Sequence, residues 1–116
     1  MLAHGAVLRK NFLSQEQLIA LVKDYRNAGL SDEEVAIMAF SQKVAGQANQ
    51  IEAQDVEELR RHDLSEEEIL DIILVAAVRS FFSKTLDATG AQPDEVYLEL
   101  GEEFLELAGY EDSRVE

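Results

Sequence analysis

The chain has 116 residues, 47% of them hydrophobic, one proline and six glycines, which is enough apolar content for an ordered core and few breaks for helices. It contains no cysteine, which excludes disulfides, thiolate metal ligands and a cysteine nucleophile supplied by its own side chains. Its formal net charge is −14, divided as −3 over residues 1–64 and −11 over 65–116, a field that repels phosphates and anionic headgroups, so neither nucleic acid nor a membrane surface is expected as a partner.

His4 is one of two histidines and stands in the opening segment, where a terminal side chain is ordinarily solvent-exposed. Three later segments share one start signal: a leucine, a serine, then Gln or Glu three residues on, followed by an apolar residue. They are Leu13-Ser14 with Gln17-Leu18, Leu30-Ser31 with Glu34-Val35, and Leu64-Ser65 with Glu68-Ile69. Each reads as a capping box with a flanking hydrophobic staple. The first predicts a helix from about Gln15 to Asn27, with Leu18, Leu21, Val22 and Tyr25 on one face and Gly29 just beyond its end.

The second predicts a helix from Asp32 to about Ala45, ending near Gly46, and a shorter helix follows over Ala53 to Arg61 with Val56 and Leu59 inward. His62 closes that helix, exposed and within one turn of Glu58. The third start signal opens a long helix from Glu66 to about Thr89, closed by Gly90. Ile69, Leu70, Ile72, Ile73, Leu74, Val75 and Val78 surround most of its circumference, so it should be central or lie in a subunit interface. Asp71 and Arg79 interrupt that surface eight residues apart, roughly two turns on one face, and a buried ionic contact within the fold or between subunits is the expectation for them. A last helix begins near Pro93, with Tyr97, Leu100, Phe104 and Leu107 as its stripe. Nothing alternates with strand period, so the fold class is all-α, a multi-helix bundle completed by homo-oligomerisation.

Acid–base chemistry is not required by Asp32-Glu33-Glu34 or Glu66-Glu67-Glu68, because both clusters fall in first helical turns where capping and the helix dipole account for them. No Glu-x-x-His pair, phosphate loop or nucleophile elbow is present, and no metal or cofactor is expected. The most apolar stretch, Ile69 to Val78, is too short for a membrane span, and a cytoplasmic location is the default. The capped serines fall at intervals of 17 and 34 residues, which invites a helical-repeat adaptor, but the residues between caps do not repeat.

Several segments taken together resemble the peroxidase-related branch of the alkylhydroperoxidase-D-like (carboxymuconolactone decarboxylase-like) family. These are His4-Gly5-Ala6-Val7-Leu8-Arg9-Lys10, Lys23 through Ser31, and Asp55 through Ser65 with Glu68-Ile69-Leu70-Asp71 and Leu74-Val75-Ala76-Ala77. The resemblance covers roughly residues 4–92, read as the family's helical domain; residues 93–116 lie outside it as an acidic amphipathic helix and tail.

It implies an all-helical, oligomeric subunit whose active relatives carry a Cys-x-x-Cys pair, an upstream glutamate and a histidine four residues after the second cysteine. His4 matches that relay histidine; the cysteines and the glutamate have no counterpart, since the pair would precede Met1. Ser80 and Ser83 stand where many relatives have asparagines, and Arg79 where an aromatic residue is common. The expectation is a degenerate, non-catalytic family member acting as an oligomeric scaffold. The alternatives are a shortened peroxidase-related enzyme and a repeat adaptor. As an enzyme it would need an interface pocket built from His4, Tyr25 or Arg79.

Overall fold

The computed structural model describes residues 11–92 and 101–107. Five α-helices occur among them and no strand: α1 Gln15–Lys23, α2 Asp32–Gln47, α3 Ala53–Arg61, α4 Glu66–Thr89 and α5 Glu102–Leu107. Short 3₁₀ turns at Tyr25–Asn27 and Ala48–Gln50 follow α1 and α2. The all-α expectation holds. His4, Pro93, Tyr97 and Leu100 lie outside the described residues.

All three serine start signals form as expected. Ser14, Ser31 and Ser65 accept the backbone N–H of Gln17, Glu34 and Glu68 at 3.1, 3.2 and 3.1 Å, and those side chains accept the serine N–H in return at 2.9, 2.8 and 3.0 Å. Two of a first turn's orphan donors are thereby satisfied at each start. At its other end α4 closes as predicted. Gly90 is left-handed at φ 73°, its N–H reaches the Asp87 carbonyl, and the Ala91 N–H reaches the Leu86 carbonyl. This double closure is a Schellman motif. Inside α4's last turns the Thr85 and Thr89 hydroxyls donate back to the carbonyls of Phe81 and Thr85 at 2.7 and 2.8 Å.

Two helix ends differ from expectation. α1 stops at Lys23 instead of running to Asn27, because the Asp24 carboxylate accepts the Arg26 N–H at 3.1 Å and the Asn27 amide at 2.5 Å. That local bonding gives the backbone a tight turn in place of another helical turn. Tyr25 therefore leaves the α1 face and is half-buried, with the Arg26 guanidinium 5.1 Å from its ring centre. α2 runs through Gly46 to Gln47, so that glycine is helical and does not serve as the stop.

The chain divides into two compact units. Within the first, α5 lies against α1: Phe104 and Leu18 are fully buried together, with Leu13, Ile19 and Val22 around them. Lys23 and Glu103 form an ion pair across the same helices. The second unit comprises residues 30–91 and packs α2 against both α3 and α4. Its core is Phe40, Leu59 and Ile69, flanked by Ile37, Val44, Val56, Leu64, Ile72 and Ile73.

Candidate functional site

The largest unsatisfied feature of the second unit is on α4. At 100° per residue, the side that carries Ile69, Ile72, Ile73 and Ala76 faces the α2–α3 core. The opposite side should be polar in a helix covered on one face only. It carries instead Leu70, Leu74, Val75, Val78, Phe81, Phe82 and Leu86, each with half or more of its surface exposed. These residues occupy a sector of about 160° around the helix axis. Phe81 and Phe82 meet edge to face at 5.6 Å. Between Leu74 and Phe82 the one charged residue is Arg79, half-buried at the sector's border.

Of the expected central or subunit-interface position of α4, the second unit supplies cover on one side. The apolar girdle read from the sequence is real, but the second unit covers half of it. Seven half-exposed apolar side chains amount to on the order of 600 Å² of contiguous apolar surface, at the upper end of what a lone chain presents. Asp71 is exposed and Arg79 half-buried, and neither forms an ion pair among the described residues of the single chain. Two turns of helix separate them, so they have no contact through the helix itself.

The start of α4 is fixed from two directions. The Arg60 guanidinium forks onto Glu66, Nε to Oε1 at 2.7 Å and Nη2 to Oε2 at 3.2 Å, and also donates to Glu57 at 3.3 Å. These bonds hold the Glu66 carboxyl below the usual carboxylate range and raise the Arg60 pKa further. Glu68 is held low by the Ser65 backbone N–H, then by the Ser65 side chain. Between the two helices Asp63 adopts φ 61°, the one non-glycine residue with positive φ among the described residues. Its N–H satisfies the Arg60 carbonyl at 3.0 Å.

The start of α3 uses a device that the serine pattern does not reveal. The Asp55 carboxylate accepts the Glu52 N–H and the Lys43 ammonium, both at 2.8 Å on the same oxygen. The Glu52 backbone bond, then the Lys43 hydrogen bond, lower the Asp55 pKa. Asp55 thus ties the first turn of α3 to α2. Its spacing from Glu52 repeats the three-residue interval of the serine caps, and that was the available signal.

The other residues that the sequence singled out are placed as follows, with His4 outside the described residues. His62 is the residue after α3, but it is half-buried where an exposed position was expected, and its Nε2 stands 3.7 Å from Glu58 Oε1. Tyr25 belongs to the first unit and Arg79 to the second. Ser80 and Ser83 are half-buried on α4. Among the described residues no three His, Asp or Glu side chains form a group able to hold a metal ion. No described helix is long and apolar enough to cross a membrane.

What the second unit presents among the described residues is a surface, the exposed apolar side of α4. No protein-family model, curated protein or solved structure matches the chain.

Proposed function

We propose that this chain is a non-catalytic helical scaffold that self-associates through α4. In this reading it is a cytoplasmic, degenerate relative of the alkylhydroperoxidase-D-like family, with the helices and subunit contact retained and the thiol chemistry lost. The single observation that supports it is the exposed apolar sector of α4.

A second copy of this chain suits that sector better than a charged ligand does. Pairing two such faces removes apolar surface from water on both sides, at about 25 cal/mol per Å², and buries no ion at the centre. The sector supplies most of the roughly 800 Å² that each partner brings to a standard interface. A phosphate-bearing or anionic partner would meet the acidic remainder of the chain, which carries a net charge of −14.

Light scattering on purified protein at micromolar concentration tests this. A stable dimer or higher assembly is expected, and Val78→Glu, at an exposed position, should yield a monomer with unchanged helicity. A wild-type monomer under the same conditions would overturn the reading.

A further inference from the structure

We infer that two copies of α4 cross antiparallel about a two-fold axis at Val78, with Leu74 of each copy packed over Phe82 of the other. This rests on the self-association reading above and adds its geometry.

Leu70, Leu74, Val78, Phe82 and Leu86 are spaced four apart, and all are half or more exposed. Side chains at that spacing form one continuous ridge on a helix surface. The ridge is graded about its middle: Val78 is its smallest member and larger side chains flank it on both sides. A two-fold axis at Val78 brings the smallest pair together at the crossing, where the backbones approach most closely. It also sets each Leu74 against a Phe82, and such isologous pairing is the commonest arrangement in homodimers.

Charge selects the antiparallel direction. Glu66, Glu67 and Glu68 all lie in the first turn of α4. A parallel pair would place both acidic turns side by side and align the two helix dipoles. An antiparallel pair sends the acidic turns to opposite ends, about 30 Å apart along the axis, and opposes the dipoles. A parallel pair would also stack Phe82 on Phe82 and Leu74 on Leu74, which leaves uneven bulk along the contact.

The chain has no cysteine, so a single introduced thiol reports on one position alone. Val78→Cys, Leu74→Cys and Phe82→Cys are purified, two of them with tags of different mass, and oxidised mildly after mixing. Circular dichroism first establishes that each keeps the wild-type helicity. Val78→Cys should convert mostly to a covalent dimer. The mixture of Leu74→Cys with Phe82→Cys should give the mixed dimer several-fold above either variant's own homodimer. If Leu74→Cys links to itself as efficiently as to Phe82→Cys, or if a dimer by light scattering fails to link at Val78, the antiparallel crossing is overturned while self-association stands. A monomer by light scattering overturns both.

Discussion

The guanidinium of Arg60, at the end of α3, grips both carboxylate oxygens of Glu66, in the first turn of α4, at 2.7 and 3.2 Å. They stand six positions apart, and the pair bridges the turn from which α4 leaves. Ile69, three positions further on, seats α4 against the Phe40–Leu59 core.

The clamp gives stability a pH dependence of known sign. The Glu66 pKa is lowered in the folded chain, so below its ordinary value the unfolded chain binds more protons and the contribution falls as pH falls. It is fully present above about pH 5 and lost as pH drops through the folded value. Both partners are exposed, so the effect is small and should weaken with added salt. A double-mutant cycle with Arg60→Gln and Glu66→Gln, followed by urea unfolding, should give a coupling at neutral pH that vanishes in strong acid. A coupling that grows on acidification would show that the clamp does not act in this way.

Backbone strain makes a second pair of variants move in opposite directions. Asp63 sits at φ 61° and Gly90 at φ 73°, where a side chain's Cβ crowds the backbone. Asp63→Gly should raise stability by up to about 1 kcal/mol, offset in part by greater freedom in the unfolded chain. Gly90→Ala should lower it by about 1 kcal/mol. No atom lies within 4 Å of a Cβ added at Gly90, so the cost there is torsional and not a clash. Thermal melts of the two variants check the signs.

Leu59 and Val75 should respond very differently to truncation. Leu59 is 1% exposed between Phe40 and Ile69, while Val75 is 62% exposed. Leu59→Ala should cost about 2–5 kcal/mol through lost burial and the cavity left behind. Val75→Ala should leave unfolding of the isolated chain almost unchanged and weaken assembly instead. Denaturant midpoints measured with concentration-dependent light scattering separate the two effects.

Assembly should tighten as salt rises. Each copy brings a net charge of −14, so the apolar contact forms against long-range repulsion. Raising ionic strength from about 20 to about 150 mM shortens the screening length from roughly 20 Å to about 8 Å and should lower the dissociation constant. Sedimentation at the two salt concentrations measures it. An unchanged or weakened assembly would place the acidic residues far from the contact or in attractive pairs across it.

Local signals in the sequence proved the most readable. α1, α2 and α4 begin where their serine caps predict, and α4 ends at its left-handed glycine, because such caps act within a few residues of themselves. α1 ended early because Asp24 bonds its own neighbours, a competition that hydrophobic periodicity does not register. The α4 surface was legible as an apolar girdle but not as a covered side and an open side. That division depends on Phe40, on a separate helix far back along the chain, and on Leu59, which meet Ile69 only in the folded unit. His4 lies outside the described residues.

Thr85 spends its hydroxyl proton on the Phe81 carbonyl, and Thr89 does the same one turn later. With those hydroxyls turned back onto the helix, the open side of α4 offers a visitor methyl groups and rings and few directional bonds. Such a surface has no lock-and-key chemistry with which to tell one partner from another. Within that side selectivity comes from shape, from whether a neighbour's bumps fit beside Val78 and between the phenylalanines. Evolution could retune the choice of partner there with single methyl groups, and a change too small to disturb folding would suffice to redirect what the helix holds.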